Sequence, residues 1–352
     1  MPKRPTQRAQ NAEFELRNLL LNKGASDALP TVRELGEQLG LSYSTVSRLL
    51  QGFVKQGHAW QHPNGRFYSA QAGETAVCGL PIVVVGRQIQ NWSRLYQEIL
   101  EGVSEVCTAK GCPLIFLSSS KLVRHSLMEL APVFATAEIQ TQELLRISAA
   151  VPRLCAGILF DHIWHEDLIL AAPFPSAPRL LLARPSMRTE LLACTPDFNA
   201  GAKSLLHHFN ETRLEKIFLA VPFEGDQAVD AAGSALLAEA ARLDRTVTIL
   251  DCSTRAKRQS SLNRLVKTPG KAGVICTEDN VASLMQQNLK KCVSQTAPVI
   301  FSMQGTGVLD LRITKLRYDY RRLGREAVMA AITRRKEMTA LLPALIPAEG
   351  EP

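Results

Sequence analysis

The chain is poor in several features that would narrow its class at once. Its 352 residues hold no apolar run approaching 18 residues and no apolar core behind a charged leader, so neither a membrane span nor a secretory signal is expected. Eight cysteines, from Cys78 to Cys292, are scattered with no C-x-x-C pair. Several sit inside apolar runs, Cys276 in AGVIC for one, where a free thiol behaves as a small hydrophobe. Disulfides and zinc are therefore not expected, and a reducing cytoplasm fits. His162 and His165 alone do not make a metal site by spacing. The sequence also lacks G-x-G-x-x-G, G-x-x-x-x-G-K-[ST] and G-x-S-x-G, the signatures of dinucleotide, nucleotide and nucleophilic-serine chemistry. No cofactor and no enzymatic activity are expected.

What is present begins with charge. The formal net charge is +8, which suits an anionic partner. Residues 1–70 carry nine Lys/Arg against five Asp/Glu, and Arg312 to Lys336 carries nine against two. The second run reads as the solvated face of a C-terminal helix more readily than as a second nucleic-acid site. In the first region, Pro30 to Ser69 has a specific grammar. Thr31 with Glu34 is a capping box, Leu35 and Leu39 mark an apolar face, and Gly40 closes a short helix. Ser42 can cap a second helix with an apolar stripe of Val46, Leu49, Leu50 and Phe53. The opposite face holds Ser44, Ser47, Arg48, Gln51 and Lys55, with no acid. Asn64-Gly65, between Trp60 and Phe67, is a hairpin signal. Helix, turn, polar second helix and hairpin predict a winged helix-turn-helix that meets double-stranded DNA. Ser44, Ser47 and Arg48 are the candidates for base edges, Arg48 toward a guanine, and Arg33 and Arg66 for phosphates. Ser42, Thr45, Asn64 and Gly65 complete the surface. Tyr43 lies at the edge of the stripe, where packing and DNA contact both fit.

Upstream, Met1 to Gln10 reads as a disordered basic arm and Ala12 to Lys23 as a helix; residues 71–79 read as a linker. From Leu80 the grammar changes to eight short apolar runs: IVVVG, PLIFL, AGILF, RLLLA, KIFLAV, TVTIL, GVIC and PVIFS. Helical patterns at Trp92–Lys110, Asn199–Asn210, Ala228–Arg242, Asn280–Val293 and Tyr320–Arg335 lie among them. Alternation of this kind predicts parallel sheets built from right-handed βαβ units. Eight strands exceed one sheet's needs, so the expected fold is α/β with two lobes and a cleft at the carboxyl ends of the strands. Lobe 1 is expected over 80–193 and 305–336, lobe 2 over 194–304, and a tail over 337–352.

Two resemblances follow. Pro30, Arg33, Leu35, the helix from Ser42 and Asn64-Gly65 resemble the GntR-type winged-helix repressors. The recognition helix departs from that family, with Tyr43 and Ser47 where arginines are usual, and SYSTVSRLL looks like the recognition helix of LacI-type repressors. Residues 80–335 resemble the LacI/GalR-type effector domain, itself similar to periplasmic binding proteins, through VVVGRQIQNWSRLYQEILEGVSEV, PDFNAGAKSLLHHF, CTEDNVASLM and TKLRYDYRRLGREAV.

This resemblance implies a DNA-binding homodimer, with a repressor favoured, controlled by a sugar-like small molecule in the cleft. It keeps Arg184, Asp197 and Asp279 as effector residues. Asp230 stands where the family has an arginine, Glu278-Asp279 replace an Asn-Asp pair, and Gln304 replaces an acid, so the cleft's polarity is altered. Asp161 and Arg184, at strand ends, and Asn91 and Trp92, after the first strand, are further cleft candidates; plain packing fits Trp92 equally. Two rival readings remain. One is a winged helix fused to an aminotransferase-like catalytic domain, which would need a cofactor-holding lysine. The other is an architectural DNA-binding protein without a ligand.

Overall fold

The computed structural model describes residues 7–22, 28–55, 58–61, 64–69, 79–88, 94–124, 133–222, 227–268, 270–277, 279–289, 299–305, 313–335 and 337–347. The expected linker therefore falls almost wholly outside the described residues, as do Asn91, Trp92 and Glu278.

The N-terminal part is three helices and a hairpin: α1 (Gln7–Asn22), α2 (Val32–Leu39), α3 (Tyr43–Lys55), β1 (Ala59–Gln61) and β2 (Phe67–Ser69). α1 begins at Gln7, inside the stretch expected to be a disordered arm. The capping box is formed: Glu34 N–H donates to Thr31 Oγ1 and Thr31 N–H to Glu34 Oε2. Gly40 ends α2 in the left-handed region at φ 62, a conformation that costs glycine nothing. Leu16, Leu20, Leu35, Val46, Leu50, Phe53, Ala59 and Phe67 are buried together. The hairpin pairs Ala59 with Ser69 and Gln61 with Phe67, leaving five residues between the strands rather than a two-residue turn.

All eight apolar runs are strands. A five-stranded parallel sheet has the order β4-β3-β7-β8-β9: β3 (Ile82–Arg87), β4 (Leu114–Ser119), β7 (Gly157–Phe160), β8 (Arg179–Leu182) and β9 (Leu192–Cys194). The helices α4 (Arg94–Ala109), α5 (Ala137–Ala150) and α6 (Glu166–Ala171) belong to this lobe, with a small hairpin of β5 (Val123–Arg124) and β6 (Val133–Phe134). The second sheet has six strands in the order β11-β10-β12-β13-β14-β15. They are β10 (Lys216–Val221), β11 (Val247–Asp251), β12 (Ala272–Cys276), β13 (Val299–Gly305), β14 (Thr314–Arg317) and β15 (Ala344–Ile346). Its helices are α7 (Phe198–Glu211), α8 (Gln227–Arg242), α9 (Arg255–Val266) and α10 (Asp279–Leu289).

Two expectations about boundaries change here. β14 pairs parallel with β13, so the second lobe runs past residue 304, to Arg317. Residues 337–347 are not a free tail: β15 pairs antiparallel with β14. The chain thus crosses between lobes three times, at 195–197, at 318–319 and after α11 (Tyr320–Thr333). The first two crossings leave from the carboxyl ends of β9 and β14, so the carboxyl edges of the two sheets face one another. The crossings are also tied together. Leu341 N–H donates to Thr195 O, Asp197 N–H donates to Leu341 O, and Tyr318 Oη–H donates to Asp197 O.

α11 returns the chain to the first lobe and packs along α4. The two helices meet through glycine on both sides: a Cβ on Gly102 would overlap the Arg321 carbonyl, and one on Gly324 would overlap the Ile99 carbonyl. Three arginines of the C-terminal run form ion pairs, Arg321 and Arg325 with Glu105 and Arg335 with Glu326, in keeping with a solvated helix face. No helix among the described residues is long and apolar enough to cross a membrane.

Gly324→Ala is expected to destabilise the two-lobed unit by about 1–3 kcal/mol in urea unfolding, because backbone cannot yield as a side chain would. Gly233→Ala, on α8 with only ordinary contact to Leu219, is expected to be neutral or slightly stabilising.

Candidate functional sites

The first candidate surface is the outward face of α3 with the hairpin turn. Thr45 N–H donates to Ser42 Oγ, and Val46 N–H to Ser42 O, so Ser42 acts on the helix start. Tyr43 is 66% exposed, and its ring is not part of the apolar core, so packing does not account for it. Ser44 and Arg48 are exposed, Thr45 and Ser47 half-buried. Arg33 is exposed on α2 and pairs with Glu37 one turn on, at 3.4 Å. At the turn, Gly65 has φ 85 and Arg66 N–H donates to Asn64 Oδ1 at 3.0 Å. The α3 face therefore presents hydroxyls, a phenol and one guanidinium, all compatible with base edges and phosphates.

The second candidate lies at the carboxyl edges of the sheets. Asp161, just past β7, is fully buried. It accepts from Arg87 Nε at 2.6 Å and Arg87 Nη2 at 2.9 Å, a two-point fork from the end of the neighbouring strand. Burial alone would raise the Asp161 carboxyl. The Arg87 guanidinium and His162 override that and hold it far below the usual carboxylate range. His162 stacks on Tyr96 of α4, with ring centroids 5.1 Å apart, and the Tyr96 hydroxyl meets its Nδ1. Arg87 sits over the same Tyr96 ring, a cation–π arrangement.

Arg184 is equally buried. It donates to Glu166 Oε1 at 3.1 Å and to Trp164 O at 2.7 Å, while Glu166 also accepts from Ser186 Oγ and Met187 N–H. Both residues expected to line the cleft thus hold the loops after β7 and β8. Their buried, bonded state follows from the cost of leaving a charge unpaired away from water. Asp197 caps α7, accepting from Ala200 N–H at 2.9 Å. Asp279 opens α10, is buried, and accepts from Ser302 Oγ at 2.5 Å. Thr277, between β12 and α10, is fully buried. Asp230 is exposed in the first turn of α8, and Gln304 is within β13.

The sequence reading missed Arg87, Tyr96, Glu166 and Ser302. A cation ending the run IVVVGR was the available signal for Arg87, since a charge closing a buried strand needs a partner. The six described cysteines, at 107, 112, 155, 194, 252 and 276, are free and buried. Burial pushes Cys107, Cys155 and Cys194 up to about 12, which removes them from nucleophilic chemistry.

No family model and no curated protein matches the chain. Solved structures do. A sugar-binding transcriptional regulator of the LacI family from Enterococcus faecalis is 14% identical, with a TM-score of 0.55 over 77% of this chain and 97% of that one. The trehalose repressor from Escherichia coli is 15% identical, with a TM-score of 0.55 over 75% and 99%. A periplasmic binding protein/LacI transcriptional regulator from Alkaliphilus metalliredigens, complexed with D-xylulofuranose, is 16% identical, with a TM-score of 0.57 over 76% and 97%. At such identities the likeness is one of fold: this chain has the two-lobed, parallel-sheet α/β arrangement of LacI-family regulators.

The Arg87–Asp161 pair has a testable energetic consequence. The folded carboxyl titrates below the unfolded one, so the pair's contribution is complete above roughly pH 3.9 and declines as pH falls below it. Arg87→Met is expected to cost about 3–5 kcal/mol at pH 7, by stranding a buried charge. Adding Asp161→Asn should recover a large part of that loss in urea unfolding.

Proposed function

We propose that the chain is a ligand-controlled transcriptional regulator in which α1–α3 and the β1–β2 hairpin form a winged helix that reads DNA. The observation that carries this reading is the exposed α3 face, polar, cationic and free of acids, in one chain with the fold of LacI-family regulators. α3 enters a major groove with Arg48 toward a guanine, and Ser44, Ser47 and Tyr43 border it. Arg33 and Arg66 meet phosphates, which gives affinity and salt dependence. GntR-type arrangement of the hairpin, action as a homodimer on two half-sites, a repressing role and a cytoplasmic location belong to the same reading.

The effector is a small, hydroxyl-rich molecule held between the carboxyl edges of the two sheets. Asp279, Asp197, Asp230 and Gln304 are the polar residues offered there, together with Asn91, Trp92 and Glu278. Asp161 and Arg184 contribute by fixing the loops that frame the cleft. Its closure changes the spacing of two winged helices, by an amount limited to the ligand's differential affinity for the two states, typically about 1–3 kcal/mol. An aminotransferase-like reading has no comparable support, since the solved structures similar in fold are those of transcriptional regulators.

Two measurements test the proposal. The full-length chain, incubated with a random duplex pool, is expected to enrich one sequence with repeated half-sites; enrichment of none would refute DNA reading. On the enriched duplex, Arg48→Ala should weaken binding by about 1–3 kcal/mol and relax preference at one base pair. A panel of sugars and sugar phosphates screened for a change in that duplex's affinity then tests the effector half.

A further inference from the structure

We propose that Gln61 sets the position of the hairpin turn against the recognition helix, and that it acts on DNA through Arg66. The inference rests on the reading that α3 and the hairpin meet DNA, and adds a residue which that reading does not use. Gln51 lies on the outward face of α3, three residues after Arg48. Its Nε2 donates to Gln61 Oε1 at 2.7 Å, and Gln61 Nε2 donates to the Gly65 carbonyl at 3.2 Å. Arg66 N–H in turn donates to Asn64 Oδ1. A chain of hydrogen bonds therefore runs from the helix, through one side-chain amide on β1, into the turn that carries Arg66.

The chemistry explains why an amide is needed. Gln61 accepts from the helix with one atom and donates to the turn with the other, which neither a carboxylate nor an apolar residue can do. The turn needs such a tie because five residues separate Gln61 from Phe67, and Gly65 at φ 85 adds conformational freedom. The hairpin's attachment to the core is separate, through buried Ala59 and Phe67. Gln61 is exposed, and an exposed hydrogen bond contributes little to folding. Its effect is on orientation.

Gln51 acquires a role as well. A glutamine on a recognition helix can read adenine with both amide atoms, but here the Nε2 group is directed to Gln61. Gln51 is a brace, and base reading falls to Ser44, Ser47 and Arg48.

The test uses the full-length protein and the duplex it enriches from a random pool. Gln61→Leu is expected to keep the wild-type thermal unfolding curve and the wild-type base preference in a repeated selection. It should bind about five- to tenfold more weakly, with a slope of log affinity against log salt reduced by about 1, the signature of one lost phosphate contact. Arg66→Ala should do the same, Gln51→Leu should resemble Gln61→Leu, and the double variant Gln61→Leu/Arg66→Ala should bind no more weakly than Arg66→Ala alone. The assignment is overturned by wild-type affinity and slope in Gln61→Leu, by losses that multiply in the double variant, or by a relaxed base preference. A wild-type chain that enriches no sequence overturns the DNA reading itself, a result separable from all of these.

Discussion

The contact between α4 and α11 is the constraint on which the two-lobed architecture rests. α11 is encoded after all of the second lobe except β15, yet its buried face, including Tyr320, Leu323, Ala327 and Val328, packs in one core with Leu95, Tyr96, Ile99 and Val103 of α4. Glycine at 102 and 324 lets the two backbones approach to a distance at which any side chain would intrude. The reward is dispersion contact along both helices. The chain is thereby obliged to leave the first lobe and come back. Two crossings follow from that requirement and a third takes β15 back to the second sheet; Leu341, Thr195, Asp197 and Tyr318 tie the three together.

Much of this was legible in the sequence because it is local. Eight apolar runs became eight strands. Central ones such as β3, β7 and β12 are buried on both faces and edge strands β4 and β11 are partly exposed, but a four- to six-residue apolar run has few alternatives in either place. The Thr31–Glu34 box and Gly40 set the ends of α2 by chemistry within a single turn. β9, β14 and β15 were not read as strands. They are short, and Thr314–Arg317, TKLR, holds a single apolar residue, so only sheet pairing gives them their form. α9, RAKRQSSLNRLV, has too few apolar residues to declare a face, and its apolar contact rests on Leu262 and Leu265 with Val266 at the end.

The candidate sites were legible in type more than in role. Asp161 and Arg184 were picked out as charged residues at strand ends, and they do sit there. Their partners were invisible because Arg87 and Asp161 are 74 residues apart, and Arg184 and Glu166 meet only after α6 has turned the chain back. A strand-end charge in an α/β protein has two possible fates, a ligand or a neighbouring strand's counter-charge, and spacing along the chain does not distinguish them. On α3 the reverse holds. A helix face with no internal partner is solvent-exposed by default, so its exposed residues could be read directly from periodicity.

The closed pairs in the first lobe bear on how a ligand could switch the molecule. A wall whose charges are already satisfied, Arg87 by Asp161 and Arg184 by Glu166, changes little between an open and a closed cleft. It supports affinity in both states alike, and equal affinity shifts no equilibrium. Contacts made in only one state must then come from groups brought in by the approaching second lobe. Asp279, oriented by Ser302 Oγ at the start of α10, is the group that the proposed function assigns to that contact. On the proposed function, the first lobe is the rigid partner joined to the DNA-reading part, and selectivity for the closed state is a property of the second.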